Sequence, residues 1–292
     1  MPRSFPAAEL EAAAGAAPVE RERVVSGGYG TNSEHWRVRL ADGRRAFVKI
    51  ALDDAAVEWL RDEYRVYAAV EAPFVAEFLG WHDGATTLLA IADLSEAHWP
   101  PPWRDGDVDA VMAALDELHE TTPPEGTPAI ADEREWLNGW ELVADDAEPL
   151  LATGLCSREW LDAFLPRLLE AGRTCPLDGN AFLHFDVRSD NLCVRAEGVV
   201  LVDWNFAHVG NPVLDVVAWL PSLRLEGGPD PWELVADTDG LAAVIAGFFA
   251  GRAGLPPPPT APQVREFQLA QAQVALPWAA RELGLTPPRA GP

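Results

Sequence analysis

Lysine is almost missing from this chain: among 22 basic residues Lys49 alone carries an ammonium group. Positive charge of any kind is scarce, with 22 Lys and Arg against 46 Asp and Glu and a net charge of −24. Such an excess of acid repels a phosphodiester backbone, so nucleic acid is not an expected partner. It permits a cationic ligand, and it would equally serve solubility alone. Cysteine is scarce too. Cys156, Cys175 and Cys193 are an odd number without C-x-x-C spacing, which excludes a disulfide framework and a thiolate zinc site. No run of 18 apolar residues occurs, so no membrane-spanning helix is expected. The N-terminal segment has no basic start followed by a long apolar stretch, and a soluble, cytoplasmic protein is expected. The six histidines do not fall at metal-ligand spacing.

The residues that carry chemistry lie in two places. His184, Asp186 and Asn191 follow the pattern H-x-D-x-x-x-x-N, and twelve residues after Asn191 the apolar run Val199–Val202 ends in Asp203. In that register a carboxylate can orient an acceptor hydroxyl, while a carboxamide and a second carboxylate face one divalent ion from opposite ends of a hairpin. Hard oxygen donors suit a Mg²⁺ that also carries nucleotide phosphates. The same polar residues would also make an ordinary turn. Lys49 argues for the first reading. It sits in the strand-like segment 45–51, and in a chain that otherwise uses Arg throughout, this position demands a compact point charge for phosphate oxygens.

Upstream, Ser26-Gly27-Gly28-Tyr29-Gly30-Thr31-Asn32-Ser33 is a glycine-rich turn between two strand-like segments, where Gly28 and Asn32 are candidate phosphate contacts. No G-K-S/T follows, which excludes a Walker loop. Downstream, residues 53–70 carry Val57, Leu60, Tyr64, Tyr67 and Val70 at helical spacing. Glu63 lies beside that stripe as a partner for Lys49, with Glu58 the competing acid.

These elements resemble the aminoglycoside phosphotransferase and choline kinase-like family, a branch of the protein-kinase-like superfamily. The family's loop reads H-G-D-L-H-P-x-N, its metal strand ends in I-D-W, and a G-x-P-x-x-D-L-A element follows. Here His184-Phe185-Asp186 with Asn191, then Val202-Asp203-Trp204, then Gly210-Asn211-Pro212-Val213-Leu214-Asp215-Val216-Val217 occur in that order. The match runs from about residue 19 to 283. Phe185 stands in place of glycine, Arg188 where His is frequent, and Ser189 in place of proline, which bears on the acceptor rather than on the reaction.

The resemblance implies an α+β, two-lobed kinase-like fold. An N-lobe over 1–94 would hold a small antiparallel sheet and one helix, and a mainly helical C-lobe would fill 95–292. It also implies that the backbone of Ala92 and Leu94 meets the adenine and that Asp215 holds the catalytic loop from behind, with His184 as its brace.

Periodicity predicts strands near 19–26, 34–40, 45–51, 75–82 and 86–93. It predicts helices over 107–120 and near 131–147, 157–171, 212–223, 239–251 and 262–283. The run Pro256–Pro259 is a stiff linker before the last helix, whose Gln268, Gln271 and Trp278 could wall a pocket or simply pack.

The expected activity is transfer of the γ-phosphoryl group of ATP or GTP, with Mg²⁺, to a hydroxyl of a small, amine-bearing acceptor. Asp186 would be the base, Asn191 and Asp203 the metal ligands, Lys49 the phosphate contact. Asp190, Arg188, Trp204, Trp136 and Glu141 are candidates for the acceptor side, Trp136 and Glu141 because a ring face and a carboxylate suit a cation. Choline, homoserine, a sugar or fructosamine are alternative acceptors. A catalytically silent nucleotide-binding regulator is the alternative from another class.

Overall fold

The structure, a computed structural model, describes residues 4–24, 32–259 and 261–288. In chain order the helices and strands begin with α1 Ala7–Ala14, β1 Pro18–Val24, β2 Ser33–Leu40, β3 Arg45–Ala51, α2 Asp54–Ala69, β4 Phe78–His82 and β5 Leu88–Ala92. Next come α3 Asp107–Glu120, α4 Arg134–Leu137, α5 Trp140–Asp145, α6 Glu148–Ala152 and α7 Arg158–Thr174. Two short strand pairings follow, β6 Ala181–Leu183 with β9 His208–Gly210 and β7 Leu192–Arg195 with β8 Gly198–Leu201. The chain closes with α8 Val213–Leu225, α9 Pro231–Leu234, α10 Leu241–Ala253 and α11 Val264–Glu282.

Two compact units emerge: Met1–Pro100 with Asp190–Ala207, and Pro101–Ser189 with His208–Pro292. A single cut between 94 and 95 does not describe this. The chain leaves the first unit and comes back to it, because the β7–β8 hairpin is tied by backbone hydrogen bonds to residues before 100: Leu201 N–H donates to Phe74 O and His98 N–H to Val194 O.

In the first unit, β1, β2, β3, β5 and β4 form an antiparallel sheet in that order. Alternation gives the sheet two faces. Val38, Leu40, Ala46, Val48, Ile50, Leu88 and Ala90 turn to one side and bury against Phe5, Leu10 and Ala14. The alanine-rich segment that precedes the sheet is the helix α1. Alanine is the strongest helix former, and Leu10 and Ala14, one turn apart, dock that helix on the sheet. The approach is close: a Cβ at Gly80 of β4 would lie 2.6 Å from the Ala13 carbonyl. On the other face, His35 pairs in register with Lys49. Helix α2 starts at Asp53, which accepts the Ala56 N–H at 2.8 Å, and buries Ala56, Leu60, Glu63, Val66 and Tyr67.

In the second unit α10 is buried along nearly its whole length and packs against α5, α6, α7, α8 and α11. The helix expected near 131–147 is broken into a 3₁₀ turn, α4 and α5. The break falls at Asn138-Gly139, where Gly139 meets Gly247 of α10 so closely that a Cβ would lie 2.0 Å from the Gly247 carbonyl oxygen. Backbone-to-backbone contact of that kind leaves no room for a continuous helix with side chains on this side. Among the described residues no helix is long and apolar enough to cross a membrane.

Candidate functional site

In the first unit the sole lysine is held by two acids. Lys49 on β3 is 8% exposed, and its Nζ donates to both carboxylate oxygens of Glu63 at 2.8 Å and to Asp203 Oδ1 at 2.6 Å. Glu63 and not Glu58 makes this contact, because Glu63 is on the buried face of α2 whereas Glu58 is exposed and pairs with Arg61. Burial alone would lower the Lys49 pKa, but the charges of Asp203 and Glu63 together outweigh it and raise the pKa. Of the two acids Glu63 is buried, whereas Asp203 keeps about a quarter of its side chain exposed, 26%. Burial therefore pushes Glu63 up to about 7 even though Lys49 opposes the shift. His35, opposite Lys49 on β2, is pushed down to about 4, by burial first and then by the Lys49 charge.

Asp203 adopts the left-handed region at φ 71°, just after β8 and at the head of a short 3₁₀ turn. A non-glycine residue there costs roughly 1–2 kcal/mol, and such strain gathers where a side chain must be aimed. The Val202 N–H donates to the Asn191 carbonyl at 2.9 Å, so the hairpin brings Asn191 next to the strand end that carries Asp203. A carboxamide and a carboxylate are hard oxygen donors of the kind Mg²⁺ takes. No group of three or more His, Cys, Asp or Glu forms a metal cage among the described residues. That donor set fits an ion that keeps water and nucleotide oxygens in most of its coordination positions.

In the second unit the loop that starts at β6 is braced from α8. Asp215, fully buried in the first turn of α8, accepts the N–H of His184 at 3.1 Å and of Phe185 at 2.6 Å, and it also meets His119 Nε2 at 3.0 Å. The Asp186 N–H donates to His184 Nδ1 at 3.3 Å, which requires that nitrogen to be unprotonated. Phe185 is in the left-handed region at φ 58° with its ring edge-on to His208. A glycine would reach that conformation without strain, so the phenyl ring is retained here at a backbone cost. Asp186 lies 3.4 Å from Arg188, whose guanidinium covers the Phe267 ring at 5.6 Å. At the far end of the loop Ser189 Oγ donates to Glu226 Oε1 at 2.5 Å.

Other sequence-derived candidates are scattered. Gly28 lies outside the described residues; Asn32 donates to Asp53 at 2.8 Å. The Ala92 N–H is taken by Glu77 O, and the Leu94 carbonyl accepts from Ala97 N–H and from Trp99 Nε1. Trp204 is fully buried beside Phe74, so its ring is a core group and not a surface for an acceptor. The Trp136 ring is covered by Arg252 at 5.4 Å, and Glu141 is held by both donor arms of Arg173 at 2.7 and 2.9 Å. The features that suggested a cation site there are engaged by arginines of the chain. Gln271 and Trp278 of α11 are buried, with Gln271 donating to Ser222 Oγ at 2.9 Å, as in a packed helix. Sequence reasoning did not find His119, His35 or Glu226; only periodicity pointed near His119, at the end of an amphipathic helix.

Residues 23–267 match the sequence profile of the phosphotransferase enzyme family. No curated protein matches the chain. Similar solved structures include a macrolide 2′-phosphotransferase type I (19% identity, TM-score 0.53, 94% of this chain and 90% of that one). The amicoumacin kinase hAmiN, solved with AMP-PNP and Ca²⁺, is similar at 12% identity and TM-score 0.53 over 80% of this chain and 81% of its own. A choline kinase from Cryptosporidium parvum Iowa II is similar at 10% identity and TM-score 0.52 over 92% and 91%. At these identities the likeness is one of fold, and the fold is the kinase-like one.

Proposed function

The chain belongs to the phosphotransferase enzyme family, and from that premise we propose that it transfers the γ-phosphoryl group of ATP or GTP to a hydroxyl of a small molecule. The observation that carries the proposal is Lys49: the one lysine of the chain, buried on a sheet face and aimed by Glu63 and Asp203. Burying a charged pair costs several kcal/mol per ion before the pairing returns it, so a chain rich in arginine would not keep this cluster for stability alone.

In this reading the Lys49 ammonium meets phosphate oxygens, with Glu63 holding it in place. Asp203 and Asn191 would hold Mg²⁺. When bound, the ion neutralises charge on the transferring phosphoryl group and its leaving oxygen. The Asp186 carboxylate orients the acceptor hydroxyl and takes its proton as the oxygen attacks phosphorus. Asp215 and His184 keep the loop in the conformation that presents Asp186. Catalysis then comes from positioning and charge compensation, with no covalent enzyme intermediate.

An aminoglycoside-like amine is one acceptor class, favoured by the net charge of −24. The engagement of Trp136 and Glu141 by arginines removes one local argument for it, and macrolide-like, choline-like or sugar-like hydroxyls stand beside it. The test is acceptor-dependent release of ADP or GDP across a panel of amine-bearing antibiotics and small hydroxyl metabolites, with and without Mg²⁺. Release in the presence of one acceptor class is expected; no acceptor-dependent release together with no nucleotide binding would overturn the proposal.

A further inference from the structure

Helix α8 grips the loop 184–189 at two points, and only one of them belongs to the motifs read above. At its first turn Asp215 takes the N–H groups of His184 and Phe185. At its C-terminal end, eleven residues on and about 16 Å along the axis, Glu226 takes the Ser189 hydroxyl. The second carboxylate oxygen of Glu226 accepts the Trp103 indole N–H at 2.9 Å. Trp103 is fixed in turn, its ring 5.7 Å from that of Trp219, itself fully buried in α8. Ser189 is 8% exposed, so its hydroxyl relies on this carboxylate rather than on bulk water.

We propose that Glu226 is a positioning residue for the transfer reaction: clamped between Ser189 and Trp103, it fixes the downstream end of the loop and with it the direction in which Asp186 presents its carboxylate. The physical need is local. Asp186 stands one residue after Phe185, which is held in a strained left-handed conformation. Without the Ser189 bond the loop would have more freedom to relax that strain by swinging Asp186. A proline at the position of Ser189 would stiffen the loop through its ring. Serine has no such constraint, and a charge-assisted hydrogen bond to a carboxylate anchored on a helix end supplies the stiffness instead. The inference rests on the kinase reading for its effect on rate, but the clamp itself does not.

The experiment uses the full chain and the variants Ser189→Ala, Glu226→Ala and the double variant. Three quantities are read: amide hydrogen exchange over residues 184–190, Kd for a fluorescent ATP analogue, and kcat with the best acceptor or, failing one, with water as acceptor. Each single variant should exchange faster in the loop and not across the rest of its unit. Each should keep nucleotide Kd near wild type and lose about ten-fold in kcat, since small misplacement of a reacting group is costly. The double variant should be no worse than Glu226→Ala alone, because the Ser189 hydroxyl acts through its bond to Glu226. Glu226→Gln should fall between, since its one amide oxygen can serve only one of the two donors. Additive losses, wild-type kcat in the singles, or exchange raised throughout the unit would overturn the proposal. Failure of the kinase reading shows separately, as a wild-type chain that neither binds nor turns over nucleotide, and the exchange and double-variant comparison then still decides the clamp.

Discussion

A buried ammonium between two carboxylates is a demanding arrangement at the scale of single residues. Lys49 Nζ meets three oxygens at 2.6–2.8 Å in a site 8% exposed. A guanidinium is planar and larger, and its donors are spread over a fork that cannot converge on one point. Lys49→Arg should therefore lower kcat/KM for the nucleotide by about 10²-fold or more while the chain still folds. Steady-state kinetics with varied ATP checks this, and wild-type values would show that the charge alone suffices. The two aspartates of the loop separate in a similar way. A base that takes the hydroxyl proton contributes ~10²–10⁴ in rate. Asp186→Asn should lose kcat in that range with nucleotide Kd and Tm close to wild type, whereas Asp190→Asn should change acceptor KM or nothing. A larger kcat loss for Asp190→Asn would mean that the loop's register has been misassigned.

At the scale of elements, close approaches and cross-strand pairs set the sensitivities. Gly80 of β4 admits α1 because it has no Cβ; in Gly80→Ala that atom would sit 2.6 Å from backbone atoms of Ala13. Backbone cannot rotate away as a side chain can, and overpacking of this kind costs ~1–3 kcal/mol, visible as a lower Tm. An unchanged Tm would show that α1 slides freely on the sheet. The β2–β3 pair adds a pH dependence. His35 is held at about 4 instead of its ordinary 6.5, by burial and by Lys49 opposite. The folded protein thus resists a proton that the unfolded chain binds. Its contribution to stability is full above pH 6.5 and is lost as pH falls from there through about 4. Melting temperature should drop between pH 7 and pH 4.5 by less in His35→Gln than in wild type, and equal drops would remove His35 from the account.

Charge is a property of the whole molecule. With a net charge of −24 the folded chain repels itself, and screening relieves that repulsion as the Debye length falls from about 30 Å at 0.01 M salt to about 8 Å at 0.15 M. Exposed ion pairs such as Arg39 with Glu20 and Arg158 with Glu148 weaken over the same range, but pairs so open to solvent contribute little. The repulsion dominates, and Tm should rise with added NaCl between these limits. A fall would mean that the surface pairs outweigh the excess of acid. Locally the balance differs, with Arg252 over the Trp136 ring and Arg173 holding Glu141.

The register proposed to carry the chemistry could be read from the sequence because it is local: His184, Asp186, Asn191 and Asp203 are separated by a turn and a hairpin, and Lys49 stands out as the only lysine. The five strands of the sheet and the helix after them were legible from their periods of two and of 3.6. Periodicity, though, names a buried face without naming what covers it. It placed Glu63 and Glu58 in competition, and only the packing of α2 on the sheet turned Glu63 to Lys49. It drew residues 131–147 as one helix, where the contact of Gly139 with Gly247 breaks the chain. It set Trp204 before an acceptor, where the tertiary structure encloses it beside Phe74. The partners of the loop, His119 to Asp215 and Glu226 to Ser189, lie far along the chain from what they hold, and no local spacing encodes them. The sequence by itself determined which groups could do the chemistry, since residue type and short-range spacing are chain properties. Tertiary structure decided which groups aim and brace them, since long-range pairing follows from how buried faces pack.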